Sequence, residues 1–212
     1  MTSTFRRRFG LMLLLLPVLF TLSQPDPGKA SAGLTIPSTT TRAATAPFNK
    51  AAMWIWYIDD SNGGNIGSII RQARRAHIGT LYIKSGDGVD AWSQFNRPVV
   101  RRFHRAGLKV CGWQYIYGRR PIAEAKISAV AKRRGADCFV IDAESEFEGA
   151  YAAADWYIRS LRQRVGRRFP IGLAGFPYAN YHPGYPYSVF LGPGAANANV
   201  PQVYWHTIGD SV

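Results

Sequence analysis

Short apolar runs recur along the chain at a near-constant interval, and that interval limits the fold more than any other feature. The candidate strands are Met53 to Ile58 (MWIWYI), Thr80 to Lys84 (TLYIK), Lys109 to Tyr115 (KVCGWQY), Cys138 to Asp142 (CFVID), Ile171 to Phe176 (IGLAGF) and Gln202 to Trp205 (QVYW). Successive starts fall 27 to 33 residues apart (53, 80, 109, 138, 171, 202), the length of one βα unit. Amphipathic stretches at Ile66 to Ala76, Val99 to Ala106, Ile122 to Arg134 and Tyr151 to Val165 predict the intervening helices. Gly107, Gly135 and Gly166 closely follow three of them, and Gly79 trails the first, each able to take the left-handed conformation of a helix cap.

Repeated βα units imply a parallel sheet covered on both faces, either closed as a barrel or open and doubly wound. No GxGxxG or GxxxxGK[ST] follows a strand, which removes the phosphate-cradling loops of open nucleotide-binding sheets. The expected architecture is therefore α/β, a (β/α)8 TIM-type barrel. Such a barrel takes about 250 residues, and six strands are visible in 212, so it is expected truncated after about six units. With 47% hydrophobic and 18% charged residues, the chain can build a sizeable core and is not a disordered one.

Ahead of the first strand the character changes. Arg6, Arg7 and Arg8 precede the apolar run Phe9 to Leu22, and Ala30-Ser31-Ala32 supplies a small-x-small cleavage pattern. The run is shorter than the roughly 20 residues of a membrane span, so residues 1–32 read as a signal peptide, with an uncleaved anchor as the alternative. Arg6-Arg7-Arg8-Phe9 also matches the core of a twin-arginine signal. Residues 33–50, rich in Thr, Ser, Ala and Pro, read as a linker, and 51–212 as the domain. The expected location is secreted or attached to the cell envelope. Removing the signal takes away four basic residues and one acid and lowers the net charge from +13 to +10.

In this basic chain the acids are concentrated. Asp142, Glu144, Glu146 and Glu148 lie within seven residues at the end of the fourth strand, and strand ends are where parallel barrels place their chemistry. Alternation puts Asp142 and Glu144 on one face, with Glu146 and Glu148 in the following loop or helix start. Two crowded carboxylates cannot both ionise freely, so one retains a proton near neutral pH. A proton-holding acid beside an ionised carboxylate is the equipment of glycoside hydrolysis.

Gly135-Ala136-Asp137-Cys138-Phe139-Val140-Ile141-Asp142-Ala143-Glu144 resembles the fourth-strand motif of two barrel glycosidase groups. One is the lysozyme-type N-acetylmuramidases of family twenty-five, ending in D-x-E. The other is the chitinases with D-x-x-D-x-D-x-E, matched at Asp137, Asp142 and Glu144 and broken at Val140. The segment from Ala51 more closely resembles a family of exported, poorly characterised glycoside-hydrolase-like barrel proteins. That likeness is carried by Tyr82-Ile83-Lys84-Ser85-Gly86-Asp87-Gly88, Gly112-Trp113-Gln114-Tyr115 and Pro201-Gln202-Val203-Tyr204-Trp205. The resemblance implies Glu144 as general acid and Asp142 as partner, positioning a substrate acetamido group or stabilising the charge that develops on the sugar.

Further substrate-binding candidates sit near strand ends. Lys84 and Asp87 flank a turn and either contact hydroxyls or pair with each other. Trp54, Trp56, Trp113, Tyr115, Tyr178 and Tyr204 offer faces for pyranose rings or fill the core. Gln114 and Gln202 are polar residues within apolar strands, each needing a buried partner or a ligand. The loop Asn180 to Tyr187 is placed to wall the cleft or to form a lid over it. The four histidines show no ligand spacing, so neither metal nor other cofactor is expected. Cys111 and Cys138 are expected level on neighbouring strands, as two buried thiols or as a disulfide, which export permits. The Arg and Lys residues fall largely on outer helices, which argues against nucleic acid. They suit an anionic wall polymer, and no stable protein partner is expected. The expected function is action on cell-wall or other amino-sugar polysaccharide, such as peptidoglycan. The alternative is a carbohydrate- or wall-binding protein without turnover.

Overall fold

The computed structural model describes residues 45–203, an α/β unit built on one curled, mostly parallel sheet. Its strands are β1 (Ala52–Ile55), β2 (Thr80–Asp87), β3 (Asp90–Ala91), β4 (Lys109–Ile116), β5 (Cys138–Ala143), β6 (Ile171–Ala174) and β7 (Ala198–Asn199). The order is β1-β2-β4-β5-β6-β7, all parallel, with the short β3 antiparallel on the end of β2. Helices α1 (Ile66–Arg75), α2 (Arg97–Arg105), α3 (Pro121–Arg133) and α4 (Tyr151–Val165) alternate with the strands, and the short α5 (Tyr187–Phe190) precedes β7.

The expected TIM-type barrel is corrected here. Among the described residues β1 and β7 do not pair, so the sheet is an open half-barrel with two edges rather than a closed ring. A βα period of about 30 residues sets strand number and direction but not closure, which depends on how the end strands meet. The last strand is also displaced. Pairing with β6 occurs at Ala198–Asn199, not over Gln202 to Trp205, and Tyr204 and Trp205 lie outside the described residues. Main-chain donors at Asn197, Val200 and Gln202 still bond to Ile171, Leu173 and Gly175, keeping this segment beside β6.

Local chemistry explains the helix limits. Asn65 and Asn96 accept bonds from the N–H groups of Ser68 and Val99, capping α1 and α2. Before α3, the buried Glu124 carboxylate accepts from the N–H groups of Gly118 and Arg120. Gly107, Gly135 and Gly166 take positive φ past α2, α3 and α4, but after α1 that role falls to His77 (φ 54°), not Gly79. Residues 45–50, which composition assigns to the linker, include a 3-10 turn at Ala46–Phe48 with buried Pro47. Phe48 packs where a Cβ on Gly172 would lie, 2.9 Å from its ring.

The two sheet faces carry different layers. Ile83, Val110, Phe139, Ile141, Ile171 and Leu173 point toward the helices and meet Ile69, Phe103, Ala129 and Leu161. On the concave face Tyr82, Trp113, Val140 and Ala174 pack with Cys111 and Cys138. Those cysteines stand in register (Cα–Cα 4.5 Å) and form a disulfide, which settles the two alternatives left by the sequence. No helix among the described residues is long and apolar enough to cross a membrane.

The disulfide closes a loop of separation 27, which in the chain-entropy account restricts the unfolded state by about 3.5 kcal/mol. Replacing both cysteines by alanine is expected to lower unfolding free energy by about 2–4 kcal/mol in urea titration. Added reductant should then have no further effect; an unchanged midpoint would contradict this role.

Candidate active site

At the C-terminal end of the parallel strands lies a cleft of about 470 Å³. Trp54 and Trp56 come from β1 and the turn after it, Trp113 and Tyr115 from β4, Asp142 and Glu144 from the end of β5, and Val200, Pro201 and Gln202 from beyond β7. Curling of the sheet thus brings both edges to the same opening.

Strand alternation selects these side chains. On β4, Cys111, Trp113 and Tyr115 share the concave face, whereas Gln114 turns toward the helices. There Gln114 is fully buried, donates to the carbonyls of Gly88 and Glu124 and accepts from Ser128 Oγ. It is a satisfied core amide and not a cleft residue. Parallel register sets Asp142 beside Tyr115 on one side and Ala174 on the other.

Glu144 lies one residue past β5, and the acidic stretch continues into a 3-10 turn at Ser145–Phe147 rather than a long helix. Both site carboxylates are held by one amide: Gln202 Nε2 donates to Asp142 Oδ1 at 2.8 Å and to Glu144 Oε1 at 3.0 Å. Asp142 is only 7% exposed, while Glu144 is half-buried. Burial foremost, and then the negative charge of Glu144, push the Asp142 carboxyl up to about 7, against the opposing pull of Lys84. Tyr115 donates its hydroxyl to Glu146 at 2.8 Å. Its phenol is raised well above its ordinary value, by burial first and then by that bond and the surrounding carboxylates.

The aromatic wall stands on a buried cation. Lys84 is 1% exposed and pairs with Asp87 at 2.7 Å, so the ion-pair alternative describes these two residues. Its ammonium also lies 3.8 Å from the centre of the Trp56 ring and 4.7 Å from those of Trp92 and Trp113. Trp113 meets Trp54 and Trp56 edge-on at 5.3 and 5.2 Å and donates its indole N–H to the Ile55 carbonyl. Gln94 ties the same region together, donating to the carbonyls of Trp56 and Lys84 and accepting from Ile58 N–H.

Of the residues singled out in the sequence, Asp142, Glu144, Trp56, Trp113, Tyr115 and Gln202 converge on this cleft. Lys84 supports it from behind Trp56, and Asp87 also receives the Tyr117 hydroxyl. Tyr178 is 38% exposed, packs against Tyr181 and does not line the cleft; Tyr204 lies outside the described residues. Trp54, one of the strand-end aromatics, lines the cleft as well. Val200 and Pro201 were missed as lining residues, and Trp92 and Gln94 as supports. Among the described residues no His, Cys, Asp and Glu group is suited to a metal ion.

No family model matches the chain, and no curated protein matches it. Among solved structures it is similar to the complete multifunctional pyruvate carboxylase from Rhizobium etli, with a TM-score of 0.51 and 14% sequence identity. The match covers 76% of this chain and 17% of that one, so the chain spans less than a fifth of the enzyme. At this identity the likeness concerns the fold alone.

A carboxyl raised from about 3.9 in the unfolded chain to about 7 in the fold carries a cost in its ionised form. The native state is unpenalised near pH 4, and the penalty grows until the group ionises near pH 7. Asp142→Asn retains an oxygen for Gln202 and removes the charge. It is expected to raise unfolding free energy on the order of 2–4 kcal/mol at pH 8 and little at pH 4. Urea titrations at both pH values check this; equal effects at the two would contradict it.

Proposed function

We propose that this is an exported glycoside-hydrolase-like protein that acts on cell-wall or other amino-sugar polysaccharide, with Glu144 as general acid and Asp142 as its partner. The observation that carries the reading is a carboxyl pair joined by one amide inside a cleft walled by three tryptophans. Indole faces match the apolar faces of pyranose rings, and carboxyl groups supply the acid chemistry of glycosidic cleavage. The sequence likeness to muramidases and chitinases supports the same assignment.

In this reading the pair retains one proton up to about pH 7, held in the resting cleft by Asp142. On substrate binding that proton passes from Asp142 to Glu144, the more exposed carboxyl, which delivers it to the glycosidic oxygen as the C–O bond breaks. Asp142 becomes the anion that orients the substrate or balances positive charge at the sugar. Both acceptor oxygens lie within 3.0 Å of one nitrogen, closer together than the roughly 6.5–9.5 Å between carboxyls that bracket an attacking water in inverting enzymes. That spacing favours retention of configuration, with the acetamido group of an amino sugar as the internal nucleophile.

One observation favours the second reading, a carbohydrate-binding protein without turnover. Asp142 and Glu144 are the only acids lining the cleft among the described residues, and both belong to one wall.

Incubation with peptidoglycan or chitin oligomers separates the two. An enzyme releases reducing ends, with activity falling above about pH 7 as the pair loses its proton. Glu144→Gln should reduce kcat by about 10²-fold or more while leaving sugar affinity within about twofold. Sugar binding without release of reducing ends assigns the cleft to the binding reading, and neither binding nor release removes both.

A further inference from the structure

On the opposite side of the sheet, α3 and α4 form a groove of about 530 Å³ whose lining combines apolar and basic groups: Ile122, Trp156, Arg120, Lys126 and Arg164, with Pro121 and Ala123 between them. Trp156 is 56% exposed and Ile122 57%, high values for a large indole and a branched aliphatic side chain. Neither is needed by the core, which α3 and α4 supply through Ala125, Ala129, Tyr157 and Leu161.

The exposed charges on these two helices are mostly basic, although Asp87 and Asp90 share a neighbouring pocket with Arg119 and Arg120. Arg119, Arg120, Lys126, Arg133, Arg164, Arg167 and Arg168 are all exposed on or beside the two helices. Of the acids on these helices, Glu124 is buried against the α3 N-terminus, and Asp155 is paired with Arg159. Among the described residues no acidic side chain forms an ion pair with Arg120, Lys126 or Arg164.

We propose that the α3–α4 face is an interfacial docking surface for an anionic phospholipid bilayer. Trp156 and Ile122 enter the headgroup region, and Arg120, Lys126 and Arg164 meet the lipid phosphates. An indole beside a branched aliphatic residue, ringed by cations, matches the boundary between acyl chains and charged headgroups. Charge complementarity chooses this occupant, because an acidic or neutral partner surface would leave either the cations or the apolar pair unmatched. A soluble anionic polymer would use the cations and leave Trp156 and Ile122 in water. Docked this way, the chain turns its convex side to the membrane and its carboxylate cleft away from it, since helices and cleft lie on opposite faces of the sheet.

The full chain suits the test, because residues 1–44 contain no tryptophan and cannot contribute to its emission. Vesicles of phosphatidylglycerol carrying brominated acyl chains should quench part of the intrinsic fluorescence, and Trp156→Phe should abolish that part. Phosphatidylcholine vesicles should quench at least 10-fold less at equal lipid. The double variant Lys126→Gln, Arg164→Gln should require at least 10-fold more phosphatidylglycerol to reach the same quenching, with an unchanged circular dichroism spectrum. Equal quenching in wild type and Trp156→Phe overturns the proposal. So does a Trp156-dependent emission change with soluble polyphosphate accompanied by no quenching from the brominated bilayer.

Discussion

The parallel register between β4 and β5 is the constraint on which the rest of the concave side depends. Cys111 faces Cys138, Trp113 faces Val140 and Tyr115 faces Asp142. These form three successive steps from the base of the sheet to its C-terminal rim. Because side chains alternate with period two, a one-residue slip of either strand would turn that strand's members of the series toward the helices. It would bring Gln114 to the cleft if β4 moved, or Ile141 if β5 did. The disulfide ties the first step covalently, and the indole of Trp113 fixes the second by bonding to the carbonyl of Ile55. The third step therefore sits on a layer with little freedom to move. Such rigidity matters for a buried carboxyl, since its proton affinity is set by surroundings that must not relax around the charge.

That carboxyl is also where the fold gives up stability. Asp142 is the last residue but one of a strand whose six residues are all buried, an environment suited to an aliphatic side chain. Gln202 offers it one donor and Lys84 a distant favourable charge, yet burial still prevails. Lys84 itself is committed elsewhere, paired with Asp87 and enclosed by three indoles. Its charge is thereby spent on holding the aromatic wall rather than on neutralising Asp142. A fold optimised only for stability would pair the two or replace both.

Much of this was legible in the sequence because apolar runs and acid placement act locally. The four main helices and the central strands follow from periodicity, and the level placement of Cys111 and Cys138 follows from counting back from strand ends. Alternation alone would also have separated Gln114 from Trp113 and Tyr115. What stayed hidden depends on distant segments. The first strand reads as Met53 to Ile58 because its aromatic run continues, yet pairing stops at Ile55. Beyond it, Gln94 takes over the main-chain groups of Trp56 and Ile58. The last strand shows a related effect. Beta-forming residues draw attention to Gln202 to Trp205, while partners on β6 and the Asn197 amide, itself bonded to Ile171 N–H and Arg162, select Ala198–Asn199. Closure of the sheet is a relation between its first and last strands, and only the strand count, six where a closed barrel needs eight, bore on it in the sequence.

Charge is divided between the two sides of the sheet, and this separation has a physical basis. Asp142 lies where the cleft walls lower the local dielectric, so burial, and then repulsion from neighbouring acids, raises its proton affinity. Arginines and lysines on the outer helices lie in water, where their repulsion is screened within about 10 Å and costs little. Exchanging the two sets would make the cleft cationic and remove the basis for retaining a proton near neutral pH. The strong overall basicity and the small acidic cluster are thus compatible for one reason. The sheet and its packed core keep the cations beyond the distance at which they would fully offset the burial of Asp142, leaving Lys84 as the cation that opposes it.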